Sequence, residues 1–263
     1  DSKVMNTFQF AGDVIAQRGP HSIRFGAEAH HYRMDTSSGS QNGGIWNFNS
    51  LESFLQAGPS GTSLAVATPG SSNRREFRQT LLGLYAQSDL RLRTNWTLNL
   101  GLRAELVSQL RDQTGKHVFM PDPLRDTAPQ TGEYLLASNP SMPTLSPRVG
   151  FRWSPGGRAA TVLQAGFGIY YDHILAYTHG GRRATHPSFD VAVLPNFDSS
   201  EYFPDALAAA ARFASGRARV VLMDYSGSRT PTVYRYTATV QQRLSGGWEA
   251  QLAYVGARGR SEE

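Results

Sequence analysis

Apolar and polar residues alternate with a period of two along most of the chain, the pattern of strands that show different environments to their two faces. From Phe8 to Ala16 the even positions read Phe8, Phe10, Gly12, Val14 and Ala16, while Gln9, Asp13 and Gln17 point the other way. Past a break at Arg18-Gly19-Pro20, the odd positions Ile23, Phe25, Ala27 and Ala29 stand against Ser22, Arg24, Gly26 and Glu28. Two such runs with a short connection predict a hairpin. The pattern returns three times. Thr80, Leu82, Leu84, Ala86, Leu90 and Leu92 turn at Arg93-Thr94-Asn95 into Trp96, Leu98, Leu100, Leu102, Ala104 and Leu106. Pro147, Val149, Phe151 and Trp153 turn at Ser154-Pro155-Gly156-Gly157 into Leu163, Ala165, Phe167, Ile169 and Tyr171. Tyr234, Tyr236, Ala238, Val240 and Leu244 turn at Ser245-Gly246-Gly247 into Trp248, Ala250, Leu252 and Tyr254. The reading is about eight strands of roughly ten residues, the length a tilted strand needs to cross a bilayer.

The connections alternate in length. Short turns lie at 18–20, 93–95, 154–158 and 245–247, and long segments rich in Gly, Pro, Ser, Asn and Asp run over about 34–74, 108–144 and 173–230. Irregular loops of that length are uncommon in compact domains and are usually functional. Short turns at one end and long loops at the other form the rhythm of an outer-membrane barrel. Within the loops, Asn49 or Ser50 is positioned to cap a helix from Leu51 to Gln56 that ends at Gly58-Pro59, and Pro204 starts one that runs to Ala214 and closes at Gly216.

Charge separates the two faces. Asp13, Arg24, Glu28, Asp89, Arg91, Arg103, Glu105, Arg148, Arg152, Asp172, Arg235, Arg243 and Glu249 all fall on the polar face, and the apolar face carries none between strand ends. A midplane Arg or Lys facing lipid costs about 2–4 kcal/mol, so lipid enforces this bias. Trp96, Trp153 and Trp248 flank short turns on the apolar face, and Tyr171, Tyr234 and Tyr254 sit on it toward the long-loop ends. Amphipathic rings at both rims are membrane-interface girdles. The expected fold is all-β: an antiparallel up-and-down transmembrane β-barrel with long extracellular loops carrying short helices. Residues 1–263 are expected to be part of a single barrel domain in the cell outer membrane. With short turns in the periplasm, both ends of the sequence fall on the extracellular rim. That placement predicts an interior portion of a larger barrel, with any export signal outside it.

Composition narrows the chemistry. The chain has 40% hydrophobic and 18% charged residues, too apolar for a disordered tail. It contains no Cys, which removes disulfides, thiol chemistry and Cys-ligated zinc. No stretch approaches the roughly 20 apolar residues of a membrane helix. The net charge of +5 comes almost entirely from arginine, with Lys3 and Lys116 the only lysines. The arginines are scattered rather than gathered in a stripe, which argues against a nucleic-acid partner. Gly166-Phe167-Gly168 opens like a dinucleotide fingerprint, but Tyr171 replaces the third Gly and the stretch lies inside a strand. His30 and His31 face opposite sides of a strand and cannot share a metal, whereas His173, His179 and His186 occupy one loop. No catalytic, cofactor-binding or metal residue is assigned. The candidate ligand contacts are the loop aromatics and guanidiniums Trp46, Phe48, Tyr177, Arg182, Arg183, Phe189 and Tyr202, which also suit loop packing.

Several of these stretches resemble the paired strands of TonB-dependent receptors of the Oar-like type. They are Leu84-Tyr85-Ala86-Gln87-Ser88-Asp89 with Trp96-Thr97-Leu98-Asn99-Leu100-Gly101-Leu102-Arg103, Ser146-Pro147-Arg148-Val149-Gly150-Phe151 with Ala165-Gly166-Phe167-Gly168-Ile169-Tyr170-Tyr171-Asp172, Val240-Gln241-Gln242-Arg243-Leu244, and Ala253-Tyr254-Val255-Gly256-Ala257-Arg258-Gly259. The opening hairpin, with His21-Ser22-Ile23-Arg24-Phe25-Gly26, also fits, whereas the long loops carry none of the likeness. The resemblance implies a large barrel closed around a plug, with a solute admitted at the expense of an inner-membrane TonB energy-coupling complex. The plug and the TonB box have no counterpart in these residues. The expected partners are outer-membrane lipid, an unidentified solute and, through parts absent here, that complex. Two alternatives stay open: a structural or adhesive outer-membrane barrel without transport, and a secreted β-sandwich binding module.

Overall fold

The computed structural model describes residues 2–37, 41–58, 62–68, 70–141, 143–155, 160–176, 189–213 and 229–260. In chain order its strands are β1 (Ser2–Arg18), β2 (His21–Ser37), β3 (Ile45–Asn47), β4 (Thr62–Ala67), β5 (Arg75–Arg93), β6 (Trp96–Val107), β7 (Arg111–Asp112), β8 (His117–Phe119), β9 (Gln130–Gly132), β10 (Thr144–Trp153), β11 (Thr161–Tyr171), β12 (Val191–Phe197), β13 (Thr232–Arg243) and β14 (Glu249–Arg260). Eight of them form one antiparallel meander in the order β1-β2-β5-β6-β10-β11-β13-β14.

The register follows the alternation. Val14 lies opposite Phe25, Phe25 opposite Ala86, Ala86 opposite Leu102 and Leu102 opposite Pro147, one apolar row across five strands. Because side chains alternate between faces, a slip of one residue at any pair would drive charges onto this row. Gly19-Pro20 and Thr94-Asn95 make the first two tight turns, and Ser245–Gly247 makes the last, with Gly246 and Gly247 in the left-handed region at φ of 73° and 81°. The expected turn residues Gly156 and Gly157 lie outside the described residues.

Three strands are longer than expected. β1 and β2 have 17 residues each and β5 has 19. Beyond the apolar stretch, the same face of β2 and β5 carries Asp35, Glu76 and Arg78, with Arg78 paired to Asp35 at 2.7 Å and to Glu76 at 3.8 Å. The hydrogen-bond ladder continues past the height at which the pattern demands lipid, so alternation stops marking it.

The long loops are more regular than their composition suggests. The first and third together build a three-stranded sheet, β12-β4-β3, with Leu194 opposite Leu64 and Trp46 opposite Leu64 on the other side. The second contributes the β8-β9 hairpin and β7, which extends the pairing of β5. Both expected helices occur among the described residues, over Leu51–Leu55 and Ala206–Phe213. Ser50 caps the first, its Oγ accepting from the Ser53 N–H at 3.0 Å. Pro59, Ala214 and Gly216, expected at their ends, lie outside the described residues.

Apolar burial concentrates at the long-loop end. One cluster joins Leu64 and Val66 to Ala192, Leu194 and Ala206, Ala209 and Ala210 of the second helix. The other joins Met34 and Phe77 to Leu110, Leu135, Leu136 and Ala176. The sheet's apolar face is bare. Phe25 (55%), Leu84 (61%), Leu102 (50%) and Leu252 (76%) are all at least half exposed. A β-sandwich lays a second sheet over that face; no described residue does so here. Contiguous apolar surface on this scale marks a membrane or partner contact.

Candidate functional site

The third loop folds over the polar face. Leaving β11, residues 173–176 pass β10 and β6 and reach β5, three strands away. His173 Nε2 lies 3.1 Å from Glu105 Oε2 on β6. Gln79 on β5 then clamps the crossing: its Nε2 donates to the Ile174 carbonyl at 2.7 Å and the Ser108 carbonyl at 3.1 Å, and its Oε1 accepts from the Ala176 N–H at 3.0 Å. Met34, Phe77 and Leu81 share the polar-face parity of β2 and β5, yet they are buried because the loops cover them. The loops therefore close over the face that carries the charges and leave the apolar face open.

Below this cover the polar face holds ordered ion pairs. Arg24 grips Asp13 bidentately, both contacts at 3.0 Å. Arg103 bridges Glu28 and Glu105, with Nε donating to Glu105 at 2.9 Å. His30 stands 3.6 Å from Glu28, and Asn99 donates to Asp89 at 2.6 Å. Tyr85 lies flat against this face because Gly26 opposite has no side chain; a Cβ there would overlap the ring. Among the described residues no group of His, Asp and Glu has metal-binding spacing. His31 is held by Thr80 Oγ1 at 3.0 Å on the other face, and His179 and His186 lie outside the described residues.

The first and third loops are stapled at a second place. Ser199 is fully buried; its Oγ donates to the Ala57 carbonyl at 2.8 Å and lies 3.1 Å from the Gly58 carbonyl. Beside it, Ser200 N–H and Oγ donate to Asp198, which holds that carboxyl below the usual Asp value. Ser199→Ala is expected to cost about 1 kcal/mol. Trypsin should cut the loops of intact cells faster while leaving the strands protected; an unchanged cleavage rate contradicts the staple.

Of the candidate ligand contacts, four lie within the described residues. Trp46 packs against Phe197 at 5.9 Å and edge-on to Phe203 at 5.4 Å, and Phe48 stands edge-on to Phe54 and Phe203 at 5.3 and 5.4 Å. Tyr202 packs on the first apolar cluster, and Phe189 is buried just before β12. Trp46, Phe48 and Tyr202 hold the loops to one another. The indole N–H of Trp46 is buried without a hydrogen-bond partner. Tyr177, Arg182 and Arg183 lie outside the described residues.

Trp96, Trp153, Tyr171, Tyr234 and Tyr254 keep apolar-face parity in the register. Trp96 and Trp153 are direct register partners with rings 5.8 Å apart, and Trp248 at the last turn is 74% exposed. Toward the loops, Tyr234 stacks on Phe167 at 6.5 Å and Tyr171 on His173 at 6.4 Å, whereas Tyr254 lies mid-strand opposite Ala238 and stacks on Tyr236 at 6.0 Å. Gln79 and Ser199 stand outside the candidates that the sequence pattern marks. Gln79 had a visible signal, a polar side chain between Phe77 and Leu81 on one strand face, but its partners come from two loops. Ser199 had none.

A family model described as an outer membrane beta barrel domain matches residues 1–262. The curated proteins contain no match to the chain.

Proposed function

Because the chain belongs to the outer membrane β-barrel domain family, and so resides in the outer membrane, we propose that it forms part of the wall of a TonB-dependent-receptor-like transporter that binds and admits a solute. The observation that carries this reading is the third loop lying across the charged face, tied down by Gln79 and Glu105. A charged inner wall beneath folded loops suits a guarded aqueous passage, whereas a purely structural barrel has no need of either. The likeness of the hairpins to Oar-like receptors supports the same reading. The wall itself performs no catalysis in this account. Its partners are lipid outside, the solute inside and, through a plug, the energy-coupling complex.

The test is competitive growth of a deletion strain across single nutrient sources. We expect loss of growth on one class of solute, reproduced by removing the energy-coupling protein. Normal growth on every source, combined with lost surface attachment, would favour the adhesive barrel instead.

A further inference from the structure

One register row of the polar face reads Arg24, Gln87, Gly101, Arg148, Gly168, Arg235 and Ala257 from β2 to β14. Its three arginines are not equivalent. Arg24 is neutralised by Asp13, whereas Arg148 and Arg235 form no ion pair among the described residues. Both instead approach one ring: the guanidinium carbons lie 4.7 and 5.5 Å from the centroid of Tyr170. The ring face eases the proximity of two cations but supplies no counter-charge. Gly168 stands between them in the row, and its missing side chain makes the arrangement possible. A Cβ there would come within 3.0 Å of Tyr170 Cε2 and 3.3 Å of Arg148 Cγ.

Four of the carboxylates that face the same way are already engaged, Asp13 by Arg24, Glu28 and Glu105 by Arg103, and Asp89 by Asn99. Above the row is a hollow of about 630 Å³ whose lining includes Gln87, Asn99, Arg148, Tyr170, Arg235 and Thr237. Gly101, Gly150, Gly166 and Gly168 keep its floor at backbone height.

The geometry points to an oxyanion subsite on the inner wall, in which Arg148 and Arg235 take the two ends of a solute carrying a pyrophosphate or two carboxylates. Guanidinium forks match such oxygens bidentately. The row places the two residues on alternate strands, their backbones roughly 10 Å apart at the usual strand spacing, and both guanidiniums turn toward the Tyr170 ring on the strand between them. This inference deepens the transport reading and rests on it for its physiological meaning, but the binding itself is measurable without transport.

The test is calorimetric titration of the whole protein in detergent at low ionic strength with pyrophosphate, with succinate and with glucose. Wild type is expected to bind both anions saturably and glucose not at all. Combining Arg148→Gln with Arg235→Gln should weaken pyrophosphate binding at least tenfold. The charge-matched pair Arg91→Gln with Arg243→Gln should leave it within twofold. The subsite is overturned if wild type binds neither anion, if the Arg148/Arg235 double variant binds as wild type does, or if the matched pair loses as much. Anion binding without any growth phenotype in the deletion strain would keep the subsite and remove the transport reading; a growth phenotype without anion binding would do the reverse.

Discussion

Leu102→Arg is expected to destabilise the folded barrel by about 2–4 kcal/mol, the cost of an arginine facing lipid near the midplane. Leu102 lies in the apolar row between Ala86 and Pro147, half exposed and far from either end of its strand. The paired control is Thr239→Arg on the opposite face, whose register partners Gln164 and Ala253 are uncharged. There the guanidinium meets water, and the change should stay within about 0.5 kcal/mol. Urea titration of the whole protein in phospholipid vesicles measures both. Equal effects, or a tolerated Leu102→Arg, would mean that the apolar face does not meet lipid.

Gln79→Leu is expected to release the third loop from the inner face. The side chain is 3% exposed and satisfies two carbonyls and one N–H drawn from the second and third loops. Leucine fills much of the space but answers none of them. Each buried group left unpaired costs about 1–3 kcal/mol, so the total exceeds about 3 kcal/mol unless the loop lifts away. Lifting is the cheaper course, because water then solvates the freed groups. Gln79→Leu should therefore raise amide hydrogen exchange at residues 173–176 and 108–110 by two orders of magnitude or more, while the central residues of β6 and β10 stay protected. Gln79→Glu should be no milder, since its carboxylate accepts from the Ala176 N–H but offers no donor to the Ile174 and Ser108 carbonyls that face it. Unchanged exchange in the leucine variant would show that the crossing is held by something other than this side chain.

The strands and their faces were legible because lipid and water impose opposite demands every second residue. Phe25, Ala86 and Leu102 could be assigned to one surface before their pairing was known, and the register then placed them side by side. The tryptophans were legible for a related reason: Trp96 and Trp153 each end an apolar run at a tight turn, where only one height in the bilayer is available. The loops were not legible. β3 has three residues and β4 six, too short for a periodic signal, and Leu64 finds its partner Leu194 across a separation that no local pattern spans. The same gap explains the candidate contacts. Residue type alone marks Trp46, Phe48 and Tyr202, and an aromatic ring serves a loop core as well as a ligand. The arginines of the inner wall could be placed on the polar face, but their unequal pairing depends on which strands are neighbours. Arg24 meets Asp13 across the first hairpin, whereas Arg148 and Arg235 are brought to Tyr170 by strands contributed from either side of the third loop.

The most direct measurement uses the absence of cysteine in the chain. Single cysteines placed from Leu98 to Ala104 in the whole protein, spin-labelled and reconstituted in vesicles, report lipid through collisions with oxygen and water through collisions with a polar nickel chelate. A strict two-residue period is expected: oxygen maxima at 98, 100, 102 and 104, and nickel maxima at 99, 101 and 103. A flat profile, or nickel access at both parities, would show that this sheet does not separate lipid from an aqueous interior.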